Sequence, residues 1–220
     1  MIKAMKRLIV PLALGALSAA AAVPDPTVHS VRFDGQQYLD TGIPARTGVK
    51  IELVAEWADP NADNGVFGAR IGDNRFYPIH CYNGLTYGYN GYYTVGTFVA
   101  GQKHVVESEL YAGAQKITLD GVVKANGTQG AIDTNLSMYL FALHNGNSAG
   151  AYAKVRIYAL TIGQDGALVR DYIPVIADNG APYLWDKVSK TLFGSATDTP
   201  FWDGGEIGGR FEQGTFILVK

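Results

Sequence analysis

Residues 135–175, NLSMYLFALHNGNSAGAYAKVRIYALTIGQDGALVRDYIPV, constrain the fold more than any other stretch. Leu136 to Leu143 is a dense apolar run of strand length, bounded by Asn and Gly. Lys154 to Ile162 alternates: Val155, Ile157 and Ala159 fall on one face, and Arg156, Tyr158, Leu160 and Ile162 on the other. Gly163-Gln164-Asp165-Gly166 then reverses the chain, because Asp-Gly supplies the positive φ that a tight hairpin needs. Leu168 to Ile173 returns, and Pro174 ends the pairing because it has no N–H to donate. Apolar residues on both faces of the middle strand place it between two layers, with Ile157 and Tyr158 both buried. The expected architecture is an all-β, two-sheet antiparallel sandwich.

The rest of the chain agrees. Val49 to Trp57 alternates strictly, with Lys50, Glu52 and Glu56 opposite an apolar face. Val66 to Ile71 and Phe76 to Tyr82 read as a hairpin around Gly72-Asp73-Asn74, and Asp120-Gly121 makes a second Asp-Gly turn. Tyr38-Leu39 reads as a short strand ended by Gly42 and Pro44. With 27 Gly, 13 Tyr and no helical period, 220 residues suit one β domain. The net charge of −2 has no basic block behind it, which argues against nucleic acid as a partner.

The chain divides unevenly. Lys3, Lys6 and Arg7, then the apolar run Leu8 to Leu17, then Ala19 to Ala22 read as a signal peptide cleaved after Ala22. The run is short for a membrane span, so the expected product is secreted, periplasmic or cell-surface, with no membrane insertion after signal removal. Residues 23–27, with Pro24 and Pro26, form an extended lead-in. The domain spans 28–204, and 205–220 is a Gly-rich extension in which Thr215 to Val219 reads either as a last strand pairing near the first or as a loose tail.

Several of these segments carry a resemblance. VRFDGQQYLDTGI, VFGAR at Val66 to Arg70, KVRIYALTI, LVRDYIPV and PYLWDKVSKTLF resemble the laminin-G-like, concanavalin A-like jelly rolls of secreted bacterial proteins. The likeness runs from about Val31 to Gly204. It implies a jelly roll and a role in recognition rather than a reaction: lectin-like binding of a glycan or cell-surface polymer, or adhesion to other proteins.

Catalytic patterns are sparse. Retaining glycoside hydrolases of the concanavalin-like fold place two Glu four apart on one strand with an Asp between, near the ~5 Å separation their mechanism needs. Glu52 and Glu56 match the outer pair, but Val54 holds the middle position, so a hydrolase reading requires a degenerate motif. Glu107 and Glu109 share a solvated face. The four His and the Ser residues form no nucleophile elbow or triad order. Cys81, the sole cysteine, reads as a buried apolar residue. No cofactor is expected beyond a structural calcium ion of the kind the resemblance implies, for which Asp59, Asp63 and Asn64 are the oxygen-rich cluster.

The most suggestive patch is Thr86-Tyr87-Gly88-Tyr89-Asn90-Gly91-Tyr92-Tyr93. Asn90-Gly91 reads as a two-residue hairpin turn, with Tyr87 and Tyr89 sharing one strand face and Tyr92 and Tyr93 beginning the return. Tyrosine suits sugar recognition, since the ring stacks on a pyranose and the hydroxyl hydrogen-bonds at small entropic cost. It also suits plain cross-strand packing. One pair of rings is expected to point inward and the other outward.

Overall fold

The strictly alternating strand lies at the heart of the molecule. A computed structural model describes residues 29–59, 64–89, 93–97 and 99–206, and no helix occurs among them. The signal segment, Asp63 and Thr215 to Val219 lie outside the described residues. In chain order the strands are β1 (His29–Asp34), β2 (Leu39–Arg46), β3 (Val49–Trp57), β4 (Asn64–Ile71), β5 (Asn74–Cys81), β6 (Leu85–Tyr89), β7 (Tyr93–Gly96), β8 (Lys103–Tyr111) and β9 (Ala114–Leu119). They continue as β10 (Val122–Gly127), β11 (Asp133–Leu140), β12 (Leu143–His144), β13 (Ala149–Gly150), β14 (Lys154–Gln164), β15 (Ala167–Ile176), β16 (Pro182–Asp186), β17 (Thr191–Phe193) and β18 (Trp202–Glu206).

Two sheets face each other. The larger runs β10-β9-β8-β3-β14-β15-β16-β17, with β1 also on β14 and β18 on β1. The smaller runs β13-β12-β4-β5-β6-β7, with β11 joining β4 to β2. Val49, Ile51, Leu53, Ala55 and Trp57 are all 0% exposed, as their alternation requires. They share one buried core with rings of the facing sheet such as Phe67 and Phe76. The Asp-Gly turns adopt the expected left-handed pair: φ is 50° and 76° at Asp120-Gly121, and 51° and 82° at Asp165-Gly166.

Five expectations need correction, the first being that Pro174 does not end the pairing: β15 runs through it to Ile176, with Pro174 opposite Leu184 of β16. In β14 the register slips between Ile157 and Ala159. This bulge swaps faces, so Leu160 and Ile162 join the core and Ala159 does not. Tyr158 is consequently half-buried on the outer side, where its hydroxyl donates to Glu56 Oε2 at 3.0 Å. The apolar run after Leu136 is not one strand, because Phe141 has φ 65° and breaks β11 from β12. β2 continues past Gly42 and Pro44 to Arg46. Finally, the domain does not stop at Gly204: residues 205 and 206, read as the start of the Gly-rich extension, complete β18, which pairs with β1.

The residues that carried the family resemblance brace the sandwich. The Asp186 carboxylate, wholly buried, accepts from the amides of Asp171 (2.9 Å), Val188 (3.1 Å) and Ser189 (3.2 Å) and from the Ser189 hydroxyl (2.6 Å). Arg170 Nε lies 3.7 Å from it, while Arg170 Nη2 donates to the Thr41 carbonyl at 2.8 Å. That last bond joins the larger sheet to the smaller. Burial pushes the Asp186 carboxyl up, but the four donors outweigh it and hold it below the usual carboxylate range.

Candidate functional site: the cleft beside the tyrosine hairpin

β6 and β7 form the expected hairpin, in a different register. Tyr87 pairs with Tyr93 and Thr86 with Thr94, whereas a two-residue turn at Asn90-Gly91 would pair Tyr87 with Thr94. Asn90, Gly91 and Tyr92 lie outside the described residues, and Tyr89 and Tyr93 are described by their backbones. Tyr87 is 2% exposed and packs in the core cluster.

The hairpin forms one wall of a cleft. β7 ends the smaller sheet and β10 ends the larger, and the sandwich opens between these two edges. The opening holds about 570 Å³. Its apolar lining is Tyr87, Val95 and Ala125; its polar lining is Thr94, Lys124, Asn126, Thr128 and Gln129. The far wall is fixed from behind: the Gln129 carbonyl accepts from Gln115 Nε2 at 2.9 Å and from the Gly113 amide at 2.8 Å. A ring edge, hydroxyls, amides and one ammonium therefore converge on a space of ligand size. Sequence reading found Tyr87 but not the ligand-facing role of Asn126, Thr128 and Gln129, which lie at the end of β10 and just after it, 30 or more positions away; the only pattern there is the Asn126-Gly127-Thr128 glycosylation sequon, which says nothing of a cleft.

The acidic candidates are elsewhere. Glu52 and Glu56 lie on the outer face of β3, away from the cleft. Glu52 pairs with Lys50 at 3.0 Å, while Glu56 accepts from Tyr158 and lies 3.8 Å from Arg156 Nη1. Glu109 is flanked by Lys116 at 3.1 Å and Lys50 at 3.6 Å. These carboxylates are tied to neighbouring cations on an open sheet face. Of the oxygen-rich loop, Asp59 is described and exposed; Asp63 and the Asn64 side chain are outside the described residues. Among the described residues no three His, Cys, Asp or Glu side chains come together as a metal site. Cys81 is 0% exposed, and burial first, then Asp59, pushes its thiol up, as befits an inert core residue.

A second aromatic group was not visible in the sequence. Tyr38, Tyr139 and His144 stack in a ladder on the outer side of the smaller sheet, with centroids 4.6 Å and 3.9 Å apart; Tyr152 lies 6.2 Å from Tyr38. Burial first, then Tyr38 and Asp40, pushes the Tyr139 hydroxyl up to about 12. Tyr139 is covered on both ring faces by Tyr38 and His144, so it offers a ligand only its edge.

No protein-family model matches the chain, and no curated protein matches it in sequence. Solved structures do match. A Bacteroides ovatus protein assigned to carbohydrate binding superposes with a TM-score of 0.56 at 12% identity, covering 79% of this chain and 61% of its own. The chain thus spans less than two thirds of that protein. Domain 4 of AbnA, an extracellular arabinanase of Geobacillus stearothermophilus solved with arabinotriose, matches with a TM-score of 0.46 at 20% identity over 64% of this chain and 72% of its own. Domains LG4-5 of the mouse laminin alpha1 chain match with a TM-score of 0.47 at 16% identity over 72% and 48%. The strand order and the two facing sheets make the chain a two-sheet antiparallel β-sandwich of the jelly-roll class, and the superposition on the Bacteroides protein shows that the two share this fold.

Proposed function

We propose that the protein is an exported, non-catalytic module that binds glycan in the cleft between β7 and β10. The observation that carries this reading is the cleft itself: an aromatic residue, several hydrogen-bonding hydroxyls and amides and the single ammonium of Lys124 around about 570 Å³. Pyranoses present apolar C–H faces and hydroxyls together, and this lining answers both. The tyrosine hairpin supplies Tyr87, Thr94 and Val95 to one wall, and Tyr89, Asn90, Tyr92 and Tyr93 are proposed as further contacts on their sequence position alone. The carbohydrate-binding assignment of the Bacteroides protein supports the same ligand class. Export rests on the charged and alanine-rich start of the chain. The non-catalytic reading is supported by Glu52 and Glu56, which lie beside cations on an open face rather than facing the cleft.

The test is a glycan array followed by calorimetry on two variants. Thr94 is exposed at the cleft mouth, so Thr94→Trp fills the space without touching the core. Asn126→Ala removes one donor–acceptor pair. Each is expected to weaken binding by about tenfold with an unchanged melting temperature. Array hits that bind both variants as tightly as the parent protein would place the ligand outside the cleft.

A further inference from the structure

We infer that the outer face of the larger sheet is a second binding surface, made for an acidic polysaccharide. Pairing registers place Trp202 opposite Arg32, Arg32 opposite Arg156, Arg156 opposite Glu56 and Glu56 opposite Lys103. Cross-strand partners share a face, so these five side chains form one row across β18, β1, β14, β3 and β8. At about 4.8 Å between strands the row is about 19 Å long, the reach of a short oligosaccharide. The opposite face of the same strands is the core, where Val31, Ala55 and Ile157 are 0% exposed.

Aromatic rings stand at two points of this row. Trp202 is 48% exposed, yet it is held: its Nε1 donates to Asp34 Oδ2 at 2.9 Å, and the Arg32 guanidinium lies 5.8 Å from its ring centroid. Tyr158 lies beneath Lys103, whose Nζ is 4.1 Å from the ring centroid, and its hydroxyl is fixed on Glu56. A large exposed tryptophan fixed by a hydrogen bond loses little freedom when a sugar stacks on it. The row carries Arg32, Arg156 and Lys103 against Glu56, a local excess of two positive charges on a chain whose net charge is −2. The flanking cross-strand pair Asp34 and Lys154 adds one charge of each sign.

Guanidinium forks match carboxylates in geometry as well as charge. One exposed stacking ring at the end of a line of cations fits a chain of uronic acid residues, each presenting a ring face and a carboxylate, with the indole taking one sugar and Arg32, Arg156 and Lys103 facing the carboxylates of the next. The charge excess is too small for the phosphate neutralisation that drives nucleic-acid binding. The surface is separate from the cleft, since none of its residues lines that space, and the inference stands whether or not glycan occupies the cleft.

The experiment is affinity electrophoresis and calorimetry with polygalacturonate, beside the same polymer methyl-esterified, heparin and single-stranded DNA. Polygalacturonate is expected to bind, the esterified polymer to bind about tenfold more weakly or less, and affinity to fall as salt rises. Trp202→Ala and Arg32→Gln, both at exposed positions, are expected to weaken polygalacturonate about tenfold each, while Thr94→Trp in the cleft leaves it unchanged. Equal binding of the esterified polymer overturns the proposal, as do tighter binding of heparin or DNA, no binding of polygalacturonate at all, or loss of binding in Thr94→Trp. The Arg32→Gln variant keeps the test open should removal of the indole loosen β18.

Discussion

The tyrosine hairpin and the Tyr38–Tyr139–His144 ladder are both rich in rings, yet they are built in opposite ways. In the hairpin the rings are neighbours in sequence, and Tyr87 is 2% exposed in the core. In the ladder the rings come from β11, β12 and the segment before β2, and each is half-exposed. Density of aromatic residues along a chain therefore says little about which of them face solvent. Cross-strand neighbours decide that, and in a jelly roll those neighbours are distant in sequence.

This contrast can be broken by substitution. Tyr87→Ala should be the most damaging change at either aromatic group, costing about 3–5 kcal/mol as a large ring is removed from a packed core. Urea unfolding measures it; a loss under about 1 kcal/mol would put Tyr87 on the surface with the ladder.

The frame that holds both groups in place is tested by Asp186→Ala, which strands Arg170 and several amide donors. The expected loss is about 3–5 kcal/mol. In the parent protein the Asp186 carboxyl sits lower in the folded state than in the unfolded chain. Its contribution is thus fully present above the unfolded value and is lost as pH falls through the folded one. The gap between parent and variant should narrow in acid, and unfolding curves at descending pH that stay parallel would contradict this.

Tyr38→Ala removes one outer ring of the ladder and should cost only about 0.5–1.5 kcal/mol. A cost matching that of Tyr87→Ala would erase the contrast between the two groups.

Much of the fold was legible because it is local. The alternation of Val49 to Trp57 and the Asp-Gly turns need only neighbours in sequence, and both appear as read. The face swap in β14 was hidden, since the bulge at Tyr158, between the paired Ile157 and Ala159, shows only in the register against β3 and leaves no mark in composition. Gly204 and Gly205 marked the end of the domain in the sequence, yet both lie within β18, which pairs along β1. The site divides along the same line. Tyr87 and Thr94 share a hairpin, whereas Asn126 and Gln129 reach the cleft through the meeting of two sheet edges. The charged row on the outer face is more extreme, since its five strands span nearly the whole described chain.

The central claim, that glycan occupies the cleft between the two sheet edges, is tested most directly by hydrogen exchange with and without an uncharged oligosaccharide selected on the array. The account predicts slowed exchange at Tyr93–Gly96 and across residues 124–129, with β1 and β18 unchanged. Unchanged exchange at both cleft walls under saturating ligand would contradict it.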